Sequence, residues 1–223
     1  MCLRQPINIV GDATDLARVP GGTLIAPQPP LLVTGLFLCR SGLSAVDVRQ
    51  LSVVKLVFVE TDAYIALGSN LGDRELNLLM AVAELGKLPG CRMTALSRFY
   101  KTSPVDMPPE TPAFYNAVAR LTTSLDPGAL LGELQRVERE RFERLPGSRK
   151  LSRRMDLDLL LYGDQRIDKP DLTVPHPRMS GRRFVLQPLA EIAPDLVVPV
   201  SGKTVAELLA GLESQEQVRL VKE

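Results

Sequence analysis

The chain is 223 residues long with a mass of 24.4 kDa, room for one compact domain with an appendage or two very small domains, so two large domains are excluded. With 24% charged and 45% hydrophobic residues, it is neither wholly disordered nor fibrous. Twenty-seven basic residues against 26 acidic ones leave a net charge of +1, which provides no global field for gathering nucleic acid or an anionic membrane. Cys2, Cys39 and Cys91 are far apart and odd in number, which fits neither a disulfide framework nor a paired-cysteine zinc site and points to a reducing, cytoplasmic compartment. The longest apolar run, Pro30 to Cys39, is broken by Gly35 and is about half the roughly 20 residues of a membrane span. The first ten residues lack a basic region feeding directly into an apolar stretch, so a signal peptide is not expected.

Composition changes near residue 60. The first 60 residues hold nine charged side chains and the remaining 163 hold 44. Pro20, Gly21, Gly22, Pro27, Pro29 and Pro30 break any helix or central strand in the front part, where only Val53 to Val59 reads as a strand. Residues 1–60 are therefore expected to be an extension, disordered or arising from a start assigned too far upstream, and residues 61–223 the functional domain. From Ala63 to Leu67 a β-prone run stops at Gly68-Ser69-Asn70. Asp73 caps a helix with Leu76, Leu79, Met80 and Ala83 at helical spacing and Gly86 as terminator. A second strand is predicted over Thr94 to Thr102, a proline-rich loop to Pro112, and a third strand from Phe114 to Thr123. Asp126-Pro127 starts a second helix with Leu130, Leu131, Leu134 and Val137 as its buried stripe. A fourth strand runs from Met155 to Tyr162. The tail reads as proline-rich loops, a short helix near Phe184 to Glu191 and a last helix near Val205 to Leu212. The order β-α-β-β-α-β predicts an α+β, ferredoxin-like fold: an antiparallel sheet with both helices on one face, the other face left for a site, and C-terminal hairpin and helix additions.

Strand alternation sends Met155, Leu157, Leu159 and Leu161 to the core and projects Asp156 and Asp158 together from the other face. A bare Asp-x-Asp also fits two solvated residues on a half-buried strand. What favours a metal is the loop ahead, where Arg144, Arg149, Lys150, Arg153 and Arg154 occur without an acidic residue. Cations beside two carboxylates suit a polyphosphate with its Mg²⁺. No Walker A lysine motif is present, and Gly68-Ser69-Asn70-Leu71-Gly72 is too short to replace one. Phe114 and Asn116 share a strand face and offer a flat heterocycle a ring and an amide, although an exposed aromatic beside a solvated amide fits the spacing equally. His176, the sole histidine, lies between Pro175 and Pro177 in what reads as a surface loop.

Six segments together resemble the 6-hydroxymethyl-7,8-dihydropterin pyrophosphokinase family in order and spacing. They are Tyr64 to Asp73, Phe99 to Thr102, Phe114 to Asn116, Arg153 to Asp158, Leu172 to Pro177 and Arg182 to Leu186. The resemblance covers about residues 62–212. It implies transfer of pyrophosphate from ATP to the hydroxymethyl oxygen of a reduced pterin, with release of AMP, in folate biosynthesis. It further implies that Asp156 and Asp158 hold two Mg²⁺ ions, that Arg153, His176 and Arg182 attend the phosphates, and that Gln135 and Glu138 face the nucleotide. Phe114 and Phe184 would sandwich the pterin, with Asn116 and Thr102 beside it, in a monomer whose partners are its small-molecule substrates alone. The family's Gly-Arg-x-Arg and Trp-Gly-Pro-Arg stretches are replaced by Phe142-Glu143-Arg144-Leu145 and Lys150-Leu151-Ser152-Arg153. That departure keeps open a non-catalytic pterin- or nucleotide-binding module. A polymerase-β-type nucleotidyltransferase places its Gly-Ser signature about a dozen residues from its aspartates, whereas Ser69 and Asp156 are 87 positions apart.

Overall fold

A computed structural model describes residues 60–105, 107–108, 110–143 and 152–221. The expected strand at Val53 to Val59, the extension before it, and Arg144, Arg149 and Lys150 of the basic loop lie outside the described residues.

The elements, in chain order, begin with β1 (Thr61–Ser69), α1 (Arg74–Leu85), β2 (Cys91–Leu96), β3 (Tyr100–Thr102) and β4 (Phe114–Thr123). They continue through α2 (Pro127–Phe142), β5 (Asp156–Tyr162), β6 (Ile167–Lys169) and β7 (Leu172–Val174). A 3₁₀ turn (Met179–Gly181), α3 (Arg183–Ile192), α4 (Val205–Ala210) and β8 (Val218–Leu220) follow. One sheet runs in the order β5-β1-β4-β3-β8, with β2 also paired to β4, and every described pairing is antiparallel. The strand predicted over Thr94 to Thr102 is in fact two, β2 and β3. Between them Ser97 turns inward, its Oγ accepting from Val118 N–H (2.9 Å), which interrupts the ladder.

Helix starts follow local chemistry. Asp73 accepts from Leu76 N–H, and Asp126 accepts from the N–H groups of Gly128 and Ala129 with Pro127 in the first turn. On one sheet face Leu78, Ala81 and Leu85 of α1 and Leu130, Leu134 and Val137 of α2 pack on Ile65, Leu67, Ala119, Leu121, Leu157 and Leu159. Each such leucine, isoleucine or valine side chain contributes about 1.5–3 kcal/mol by leaving water, the alanines less. The inward stripe of α1 is therefore not Leu76, Leu79, Met80 and Ala83. Leu76 and Leu79 are both 51% exposed, because α1 is apolar on two sides at helical spacing and the sheet takes the Leu78 side. Leu131, expected in the buried stripe of α2, is only half-buried.

The opposite face is not left wholly open. Val185, Leu186 and Leu189 of α3, with Val205 of α4, cover Tyr64, Val118, Leu160 and Leu161. Leu161 thus joins this second cluster rather than the one holding Leu157 and Leu159. The β1–β5 register shifts between Tyr64 and Ile65, and the extra residue inverts the alternation beyond Leu159. The tail contains the β6–β7 hairpin and the short strand β8 in addition to its helices. Uncovered sheet remains at one end.

Candidate active site

Three strands meet at the uncovered end. Gly68 on β1 is paired on one side with Asn116 of β4 and on the other with Asp156 of β5. A Cβ at Gly68 would stand 3.0 Å from Asn116 Oδ1 and 3.9 Å from Asp156 Cβ, so the residue between amide and carboxylate has to be small. Asn116, buried, donates from Nδ2 to Thr102 Oγ1 (2.7 Å), and Thr102 of β3 pairs with Phe114 of β4. On the end strand β5, Asp156 and Asp158 alternate with core-facing Leu157. Among the described residues no strand flanks the outer side of Leu157. Its N–H donates instead to Oε1 of Glu138 on α2 (2.8 Å), a residue only 3% exposed.

The turn after β1 holds the strand entry. Asn70 accepts from Arg153 N–H at Oδ1 (2.7 Å) and donates from Nδ2 to Ser152 Oγ (3.0 Å). Asn77 of α1 in turn donates to Ser69 Oγ (3.1 Å) and to the Leu71 carbonyl (2.9 Å). The glycine-rich turn is thus a latch on Arg153 rather than a phosphate loop. Arg153 Nη1 lies 2.7 Å from Asp156 Oδ1, and its Nε is buried without a hydrogen-bond partner among the described residues.

The fourth wall comes from the tail. His176 N–H donates to the Leu160 carbonyl (2.8 Å), and its ring Nδ1 accepts from Arg178 N–H (3.2 Å), which leaves Nε2 as the ring's donor. Burial first, then the Arg182 and Arg178 charges, push the imidazole down to about 4 against the opposing pull of Asp156, so it is neutral near pH 7. Expected as a surface residue on its loop context, it is a half-buried wall of the cleft. Arg182 sets its guanidinium 5.3 Å from the centre of the Phe184 ring.

These walls enclose an open cleft of about 1090 Å³, above the roughly 300–1,000 Å³ of most small-molecule sites and roomy enough for two ligands at once. Every residue to which the family resemblance gives a role lines it: Thr102, Phe114 and Asn116 on one side; Asp156, Asp158 and Arg153 at the base; Gln135 and Glu138 along α2; His176, Arg182 and Phe184 on the tail. Arg154 of the basic loop does not line it and faces Glu143 instead (3.5 Å). Arg139, Arg178 and Asp171 also line it and carried no motif of their own.

The model of the 7,8-dihydro-6-hydroxymethylpterin-pyrophosphokinase (HPPK) family matches residues 64–194. The chain belongs to this family. It is 42% identical over 158 residues to the 2-amino-4-hydroxy-6-hydroxymethyldihydropteridine pyrophosphokinase of Haemophilus influenzae, covering 71% of this chain and 97% of that one. The Pseudomonas aeruginosa enzyme of the same name is 44% identical over 147 residues, 66% of this chain and 89% of that one. Among solved structures, wild-type HPPK-DHPS of Plasmodium falciparum superposes with a TM-score of 0.54 over 68% of this chain. At 14% identity that likeness concerns the fold alone, and the chain spans 44% of the longer Plasmodium one.

In this cleft Asp156 and Asp158 are alternate residues of one strand whose carboxylate oxygens could hold a divalent cation. Among the described residues no group of three or more His, Cys, Asp or Glu side chains is placed to bind a metal. A pair of carboxylates is thus a partial shell, which suits Mg²⁺ because that ion takes its remaining ligands from phosphates and water. The neighbouring arginines and the neutral histidine donor suit phosphate oxygens.

Proposed function

We propose that the chain transfers the terminal pyrophosphoryl group of ATP to the hydroxymethyl oxygen of 6-hydroxymethyl-7,8-dihydropterin, releasing AMP, as a step of folate biosynthesis. The hydroxymethyl oxygen forms a bond to the β-phosphorus, the bond from that phosphorus to the oxygen bridging to the α-phosphate breaks, and the hydroxyl proton leaves to solvent. The observation that carries the reading is that one cleft joins the carboxylates of Asp156 and Asp158, the side chains of Arg153, Arg182 and His176, and the aromatic rings of Phe114 and Phe184. Asp156 and Asp158 hold two Mg²⁺ ions, which when bound neutralise charge on the phosphates. Arg153, Arg182 and His176 Nε2–H orient the phosphates, while Gln135 and Glu138 border the nucleotide. Phe114 and Phe184 stack on the pterin, and the Asn116 amide, held by Thr102, reads its edge.

The strand order and the two helices on one face support a ferredoxin-like βαββαβ core, with α3, α4, the β6–β7 hairpin and β8 as its C-terminal additions. Residues 61–223 constitute the pyrophosphokinase domain and residues 1–60 an extension. The protein acts as a cytoplasmic monomer on small molecules. Among the described residues no helix is long and apolar enough to cross a membrane.

The test is AMP formation from ATP, Mg²⁺ and the reduced pterin. Asp156→Ala or Asp158→Ala should lower turnover by about two orders of magnitude or more, since the lost metal ligand acts on transition-state charge. Thermal unfolding without metal should move by only a few degrees, both carboxylates being outside the core. Near-normal AMP release by either variant would sink the metal assignment. Ligand binding without AMP from the unsubstituted protein would instead favour the non-catalytic module.

A further inference from the structure

The N-terminus of α3 lacks a cap of its own. Arg182 occupies the N-cap position and makes no side-chain capping bond, because a guanidinium has no acceptor to offer the first helical N–H groups. The acceptor arrives from 32 residues downstream. Glu216 Oε2 receives the N–H of Phe184 (3.0 Å), and Arg183 Nη2 donates to the Leu212 carbonyl (2.8 Å). Beyond Glu216 the same segment is sewn to the other side of the cleft. Gln217 O accepts from Ser103 N–H (3.1 Å), and Gln217 N–H donates to Ser103 Oγ (3.2 Å). β8 then pairs Val218 with Thr102, which itself pairs with Phe114.

We propose that residues 212–220 form a strap that sets the spacing between the two aromatic walls, with Glu216 as a positioning residue for the pterin. The inference rests on the substrate assignment above. One end of the strap grips the backbone amide of Phe184, the other the β3 edge that backs Phe114 and holds Thr102. Stacking requires the two rings to stand one ring thickness apart on either side of a ligand, so a shift of the α3 terminus affects the pterin first. The nucleotide side has anchors away from this terminus: Asn70 holds Arg153 N–H (2.7 Å), and Gln135 and Glu138 stand on α2. Arg182 is also tied to the turn ahead of α3, its N–H on Met179 O (3.2 Å).

The experiment measures equilibrium binding of 6-hydroxymethylpterin by its fluorescence, with Mg²⁺ and a non-hydrolysable ATP analogue, on the full chain. Glu216→Ala should weaken pterin binding roughly fivefold to thirtyfold, the loss of a charged acceptor from a helix N-terminus. Glu216→Gln, which keeps an acceptor oxygen, should stay within about threefold of the parent, and the nucleotide analogue should bind both variants within about threefold. Amide hydrogen exchange on the unsubstituted protein supplies a second reading. Pterin addition should slow exchange over 183–186 and 214–219 together. Unchanged pterin affinity in Glu216→Ala, equal losses for both ligands, or protection confined to 183–186 would overturn the strap. Failure of the unsubstituted protein to bind the pterin would overturn the substrate assignment, and the strap's role with it.

Discussion

His176 shows how a single side chain acquires its chemistry from neighbours far away in sequence. Its ring is desolvated by the cleft and faces the positive charges of Arg182 and Arg178, so its folded value of about 4 lies well below the ordinary 6.5. The unfolded chain therefore binds a proton between these values that the folded chain refuses, and stability is lost as pH falls from about 6.5 toward 4. Denaturant melts at pH 7 and pH 5 should show that loss, with a His176→Gln variant showing a smaller one. Because the chain has one histidine, its imidazole NMR signal reports the titration directly. A midpoint at or above 6.5 in the ligand-free protein would contradict the burial described here. Gly68 and Glu138 belong to the same scale. One is small because two strands press functional groups against it, and the other is buried because an end strand leaves the N–H of Leu157 needing an acceptor.

Elements are where local pattern and tertiary packing compete. α1 carries leucine or methionine at 76, 78, 79 and 80, so helical spacing alone fits two different inward faces. Packing chose the face through Leu78, which is fully buried. Leu78→Ala should destabilise the fold by about 2–5 kcal/mol, while Leu79→Ala should change it by less than about 0.5 kcal/mol. Chemical denaturation of the two variants checks this, and equal effects would mean that the exposed Leu79 face is covered in solution. In β5, alternation correctly separated Asp156 and Asp158 from Leu157 and Leu159, and failed at Leu161, where the bulge inserts a residue that no period-two rule anticipates.

At the scale of the whole molecule, both apolar clusters are built from residues between Ala63 and Leu212, and the chain divides into compact units at residues 56 and 57. A protein beginning at Val57 should therefore fold and retain AMP formation. Circular dichroism and the AMP-formation assay test this, and an insoluble product would show that the earlier residues supply part of the core. The sequence by itself determined the elements with strong local causes: Asp73 and Asp126 as caps, β4 from Phe114 to Thr123, and the aspartate alternation. It also carried the six segments by which the family could be named. What only the tertiary structure decided depends on contacts between distant residues. Asn70 on Arg153, Glu138 on Leu157 and Glu216 on Phe184 each join groups separated by 19 to 83 positions. No periodic or motif signal announces these pairings, because a buried N–H requires an acceptor in space and places no condition on where in the chain it comes from.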